Sequence, residues 1–201
     1  WIPLVMLYSG MRPSEAAQLD TSDVITKDDV WCFNITTETA GAEVGKRFKD
    51  KSLKKPASTR LVPIHQKLID LGFLEYVKQR SNYKKLFDVS ERANGYYESI
   101  VKQFNAWLNK VGVKDKTHAP HSFRHTFKTA SVNARMDQNI TRIIGGWSLG
   151  GGADIETYLH TNHVDRKMIK AELDKLQFDI LSRDAEVVCF GMIDFVKSEN
   201  K

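Results

Sequence analysis

Two short runs of strand-forming residues, 30–36 (VWCFNIT) and 59–64 (TRLVPI), are embedded in a chain whose other apolar residues recur at helical spacing. β-branched and aromatic side chains dominate the first run, and apolar alternates with polar in the second, the pattern of half-buried strands. Two such runs are too few for a β-domain. They can form a small antiparallel sheet, with the segment between them as a long connection. From Gln66 onward the period is helical: Leu68, Leu71, Leu74 and Val77 mark one stripe, and Ile100, Phe104, Trp107, Leu108 and Val111 another. Residues 1–9 read as the end of an apolar helix stopped by Gly10, and Pro13 opens a short helix where its missing N–H costs nothing.

Beyond Pro120 the chain predicts a helix around residues 121–134, a short one ending at Gly145-Gly146, a Gly-rich loop over Gly150 to Gly152, and a helix carrying Tyr158. An amphipathic segment follows over 164–176, with Val164, Met168, Ala171 and Leu176 as its apolar stripe, and then an apolar stretch over 187–196. No repeat or flexible linker divides the 201 residues, so one compact domain is expected, mainly α with a small antiparallel β-sheet.

The formal charge of +5 is unevenly placed: Lys46, Arg47, Lys49, Lys51, Lys54, Lys55 and Arg60, opposed only by Asp50, account for the whole excess. A concentrated basic stretch suggests a polyanionic partner. No run of about 18 apolar residues is present, so no membrane span is indicated. The start at Trp1 lacks the charged n-region of a signal peptide and reads as a chain cut from a longer one in mid-helix. Two cysteines, Cys32 and Cys189, are too few for a disulfide framework and suit a reducing cytoplasm.

Four residues stand out chemically. His121 and Arg124 lie three apart at a helix start, so both project from one face near free backbone N–H groups and the positive dipole end. Arginine suits an anion there because its planar fork binds phosphate oxygens in pairs. Arg12 follows the Gly10 break and precedes Pro13, which pushes it out of helical geometry, and Glu15 is placed to brace its guanidinium. Tyr158 offers a phenol downstream of a Gly-rich loop. His121 and His125, four apart, could instead clamp a zinc ion, but Ser122 occupies the position where such helices need Glu, and metal binding is not expected.

The boxes Ser9-Gly10-Met11-Arg12-Pro13-Ser14-Glu15, His121-Ser122-Phe123-Arg124-His125-Thr126-Phe127 and Thr157-Tyr158-Leu159-His160 resemble, in order and separation, the signature boxes of the tyrosine recombinases, the phage integrase family. The stretch 54–63 (KKPASTRLVP) resembles that family's lysine hairpin. The resemblance implies the DNA breaking-rejoining fold, with residues 1–163 as catalytic domain, 164–201 as a tail of the same domain, and no N-terminal DNA-clamping domain in this chain.

It implies that Arg12 and Arg124 grip the scissile phosphate, that His121 assists proton transfer, and that Tyr158 attacks phosphorus to give a 3′-phosphotyrosyl link and a 5′-hydroxyl. Lys54, or Lys55 if the hairpin is counted back from Pro63, would protonate the leaving oxygen. Trp147 stands where most members carry a second His; an indole N–H can donate to phosphate but cannot shuttle a proton, so it would bind and pack. Lys46, Arg47, Lys49, Lys51, Lys55 and Arg60 would contact DNA phosphates. The implied activity is site-specific recombination by a prophage or genomic-island integrase in the bacterial cytoplasm, associated with the nucleoid. A type IB topoisomerase-like enzyme and an inactive DNA-binding module are the alternatives. The implied partners are double-stranded DNA, further copies of the chain (a homotetramer on DNA, a monomer or weak dimer without it) and accessory DNA-bending proteins. No cofactor is expected, because the phosphotyrosyl bond conserves the energy of the broken phosphodiester.

Overall fold

The computed structural model describes residues 1–36, 59–92, 95–112, 119–148 and 164–178. Helix α1 (Ile2–Ser9) is apolar on nearly every side and buries Val5, Met6, Leu7 and Tyr8, so it runs through the centre and packs against α2, α3 and α6. Gly10 ends it at φ 63, a left-handed conformation that costs a glycine little. Arg12 then takes an extended conformation before Pro13, the first residue of α2 (Pro13–Ala17).

A single 3₁₀ turn (Thr21–Asp23) leads into a three-stranded antiparallel sheet ordered β1 (Val24–Lys27), β2 (Val30–Ile35) and β3 (Arg60–Pro63). The two expected strands are present, and β1 adds a third. It is joined to β2 through Asp28 and Asp29, both at positive φ (54° and 62°), with Lys27 paired to Val30. That is a two-residue hairpin turn of the primed type, whose usual marker, a glycine, is missing here. Cys32 on β2 is fully buried, and burial pushes its thiol up to about 11, so it is an inert core residue.

The helical remainder comprises α3 (Gln66–Asp70), α4 (Phe73–Gln79), α5 (Tyr96–Lys110), α6 (Ser122–Asn133), α7 (Gln138–Gly145) and α8 (Arg166–Leu173). The stripe from Leu68 to Val77 is split between α3 and α4, because Gly72 turns the chain at φ 85. On α5, Ile100, Phe104 and Leu108 are buried as expected, while Val111 lies past the helix end and is 43% exposed. Phe33, Phe73, Phe127, Met6, Met11 and Ile144 form the best-buried part of the core. No helix among the described residues is long and apolar enough to cross a membrane.

The segment after residue 163 corrects its expected facing. Met168 is 54% exposed and Ala171 is also on the surface, whereas Ile169, Leu173 and Leu176 are at most 2% exposed. The apolar stripe is rotated from the expected one because Ile169 and Leu173 are themselves four apart and form the seam that meets β2, β3 and α7. Beyond α8 the chain is held by polar contacts. Asp174 accepts from the backbone N–H of Gln66 (2.8 Å), and the His65 ring contacts the carbonyl of Leu176 through Nε2 (3.1 Å). His65 Nδ1 accepts from the N–H of Lys67, so Nε2 carries the proton. Burial pushes this imidazole down, and it sits neutral in the core. Tyr8 meets His65 and Phe178 at ring distances of 4.5 and 5.0 Å. Residues 179–201, with Cys189 and the apolar stretch over 187–196, lie outside the described residues.

Candidate active site

Three chain segments meet where α1 ends, α6 begins and α7 ends. A Cβ on Gly10 would stand 2.6 Å from the Phe127 ring, so the glycine lets the α1 terminus lie against α6. The Gly10 carbonyl accepts a hydrogen bond from Nη1 of Arg124, which ties the first signature box to the second. Arg124 is 3% exposed, and its guanidinium carbon lies 4.1 Å over the Trp147 ring, a cation–π contact strengthened by desolvation. Trp147 also stacks beside Phe127 at 6.2 Å, and Lys128 Nζ is 5.7 Å from its ring. The indole reaches this position by folding back over the end of α7: a Cβ on Gly145 would fall 1.9 Å from it, so no larger residue fits at 145.

Arg12 enters from the other side. Its backbone N–H donates to Glu15 Oε2 (2.9 Å), its Nη1 to Glu15 Oε1 (2.5 Å) and its Nη2 to the carbonyl of Gly146 (3.4 Å). Glu15 thus braces the guanidinium, as the spacing suggests. Its carboxylate is also shared with Arg60, whose Nη2 lies 2.9 Å from Oε2. Burial alone would push this carboxyl up, but the charge and hydrogen bonds of Arg60, and then of Arg12, outweigh it and hold it below the usual carboxylate range. Glu15 is therefore ionised at neutral pH. The cluster still has an excess of positive charge, since three guanidiniums converge around this carboxylate. Burial, and then Arg12, push Arg124 down to about 9, which leaves it protonated at neutral pH.

His121 occupies the cap position of α6, half-buried, with its ring 5.0 Å from that of His125. Burial and the charges of His125, Arg124 and Arg12 push it down, so at neutral pH it is an uncharged imidazole able to accept a proton. Arg12, Arg124, Trp147 and His121 are in this way gathered from boxes more than a hundred residues apart, as the contact between Arg124 and Gly10 (separation 114) illustrates. Among the described residues no group of His, Cys, Asp and Glu is placed to hold a metal ion. A separate open groove of about 830 Å³, lined by Ser122, His125, Thr129, Asn133 and Phe178 among others, lies on the opposite face of α6 from Arg124 and Phe127.

One expected DNA contact is corrected. Arg60 is 3% exposed, with its Nε donating to the carbonyl of Ile144 (2.7 Å) and its Nη atoms on Glu15, so it faces the core and not a phosphate backbone. The signal is available in the alternation of β3, where Arg60 shares the inward face with Val62. Lys128, four residues after Arg124 and therefore on its face, is a member of the site that the sequence motifs do not single out. Lys46, Arg47, Lys49, Lys51, Lys54, Lys55 and Tyr158 lie outside the described residues.

A mainly helical domain with a three-stranded sheet, carrying paired guanidiniums beside an imidazole, defines a class: the chain belongs to the phage integrase family, whose model matches residues 2–164. Among curated proteins it is similar to the tyrosine recombinase XerD of Rickettsia prowazekii (strain Madrid E), 27% identical over 188 residues, which cover 86% of this chain and 55% of that protein. Among solved structures it resembles the integrase from mycobacterium phage Brujita (TM-score 0.54, 16% identity, 88% of this chain and 50% of that one). It also resembles the Tn1549 transposon integrase, solved in complex with a circular intermediate DNA (TM-score 0.50, 22% identity, 87% of this chain and 57% of that one). The fold is thus that of the catalytic domains of tyrosine recombinases and integrases. The chain spans about half the length of the relatives it matches.

Proposed function

We propose that this protein is a site-specific DNA recombinase of the integrase type, cutting and rejoining double-stranded DNA through a covalent tyrosine. The observation that carries this reading is the convergence of Arg12 and Arg124, from distant parts of the chain, beside a neutral His121, with Arg124 over the Trp147 ring. Such a site suits a phosphodiester. Two preorganised guanidiniums can each pair with a non-bridging oxygen and neutralise the charge that builds in the pentacoordinate transition state, generally the largest catalytic contribution. The Trp147 indole N–H supplies a further donor but no proton relay.

In this reading residues 1–163 form the catalytic domain, with the rest of the chain as its tail. The Tyr158 hydroxyl attacks phosphorus, its proton passing toward His121. The bond from phosphorus to the 5′-oxygen breaks, and Lys54 or Lys55 protonates that oxygen to release a 5′-hydroxyl. The DNA 3′ end remains on the enzyme as a phosphotyrosyl ester. Attack by another 5′-hydroxyl reverses the step on a new partner strand, so neither nucleotide nor metal is required. The active form would be a homotetramer on two duplexes, with a monomer or weak dimer in its absence. Accessory DNA-bending proteins would join it in the bacterial cytoplasm, at the nucleoid.

A nicked suicide duplex carrying the cognate crossover site tests this directly. The unaltered protein is expected to accumulate a covalent adduct that survives denaturing electrophoresis, and Tyr158→Phe to form none. An adduct formed by Tyr158→Phe would overturn the assignment.

Binding to the duplex is expected to weaken steeply with salt, because each lysine that neutralises a phosphate releases counterions. Replacing Lys46, Lys49 and Lys51 with Gln should flatten the slope of log K against log salt by about 0.9 for each phosphate no longer neutralised. An unchanged slope, measured by fluorescence anisotropy, would remove these lysines from the interface.

A further inference from the structure

Arg60, a DNA contact by sequence and a core residue by structure, has a role that its burial defines. Its guanidinium joins three elements. From the first residue of β3 it donates through Nη2 to Glu15 Oε2 (2.9 Å) and through Nη1 to Glu15 Oε1 (3.4 Å) on α2, and through Nε to the carbonyl of Ile144 (2.7 Å) near the end of α7. It also lies against the backbone of Gly146, where a Cβ would stand 2.8 Å from Nη1. These are the groups that aim Arg12, which bonds both oxygens of Glu15 and the carbonyl of Gly146. The residue that follows, Trp147, lies on Arg124. One buried side chain thus fixes the acceptors of one phosphate-facing arginine and the helix end that leads to the ring on the other.

We propose that Arg60 is a positioning residue for strand cleavage: it grips the Glu15 carboxylate and the α7 terminus together, and so sets the Arg12 guanidinium in its phosphate-receiving orientation without touching DNA. The inference deepens the recombinase reading and rests on it for the cleavage step. The role needs a fork. Lysine has the charge but a single nitrogen, which cannot reach a carboxylate on α2 and a carbonyl on α7 at once. The charge matters as well, because Arg60 is the chief influence holding Glu15 in its ionised form against burial.

The test compares the unaltered protein with Arg60→Lys and with the double variant Arg60→Met/Glu15→Gln, which removes both partners of the buried Arg60–Glu15 ion pair together if the first fails to fold. On the suicide duplex, Arg60→Lys is expected to lower the single-turnover rate about 100-fold, as a misplacement on the scale of an ångström can. The half-saturating DNA concentration and the salt slope should stay within about twofold, because every phosphate partner is retained. The acid limb of the rate profile should move to higher pH in Arg60→Lys, since Glu15 protonates more readily once its fork-shaped partner is gone. The double variant, with no carboxyl at 15, should be slow and lack that shift. A rate within about threefold of the unaltered protein would overturn the proposal. So would a full rate at saturating DNA with a salt slope reduced by about one unit, the mark of a direct phosphate contact. Absence of any adduct from the unaltered protein would instead count against the recombinase reading. Inorganic phosphate then serves as the probe: titration followed by the Nε–H resonances of Arg12 and Arg124 should show at least about tenfold weaker binding in the double variant, and equal affinity would overturn the role of Arg60.

Discussion

Replacing Arg124 with Lys is expected to slow formation of the covalent DNA adduct by about 10²–10³-fold, the usual consequence of losing one preorganised transition-state donor. The substitution keeps a formal positive charge, yet three features of the site work against it. Arg124 spends one nitrogen on the Gly10 carbonyl, which leaves the rest of its fork for a phosphate; a lysine has one nitrogen for both tasks. The Trp147 ring meets the guanidinium carbon at 4.1 Å, and an ammonium offers it no planar group to receive. The same burial and Arg12 charge that bring this arginine down to about 9 would act on a group whose ordinary pKa is lower, about 10.4, so a lysine would hold its proton less firmly than the arginine does. The loss should appear in the single-turnover rate at saturating DNA, and raising the pH should not restore it. Near-normal cleavage by Arg124→Lys would remove this residue from the catalytic centre.

Ending the chain after His163 is expected to abolish the fold itself. Ile169 and Leu173 are fully buried and Leu176 is 2% exposed, against β2, β3 and α7. Removing one such side chain costs about 2–5 kcal/mol, and losing three together approaches or exceeds the total stability of a typical domain, about 5–15 kcal/mol. The backbone N–H of Gln66 and the buried His65 ring would lose their partners as well. Circular dichroism and thermal melting of the truncated chain should show no cooperative transition. A cooperative melt within a few degrees of the intact protein would mean that α8 is dispensable. The amphipathic segment over 164–176 is, in its described part, a component of the protein's own core.

Local signals are legible in this sequence because their causes are local. Gly10 and Gly146 end helices in left-handed conformations, Pro13 starts one, and Asp137 caps another by accepting from Asn139 and Ile140. Each of these depends on residues within one turn. The helix expected over 121–134 is α6, with His121 and Ala134 at its two caps. The strand β1 escapes such a reading for the complementary reason: its turn puts two aspartates at positive φ, a conformation stabilised by pairing with β2 and not by the turn residues themselves. The facing of α8 escapes it because Met168 and Ile169 are both apolar. Only the surface it packs against selects between them.

By itself the sequence singled out residues whose chemistry suits a phosphate. Arginines before a proline and at a helix start, an imidazole beside one of them, and a phenol downstream are legible from spacing and residue type. The three-dimensional structure alone decided which acceptors the inward-facing Arg60 meets. Along the chain, Arg60 belongs to the same basic run as its neighbours in the 46–60 segment. Folding places it 45 residues from its partner in sequence and 2.9 Å from it in space, on the inward face of β3. A guanidinium loses its hydration on burial and must find a carboxylate and carbonyls to replace it. Where those acceptors stand is set by the packing of α2, α7 and β3, which no local pattern in the chain encodes.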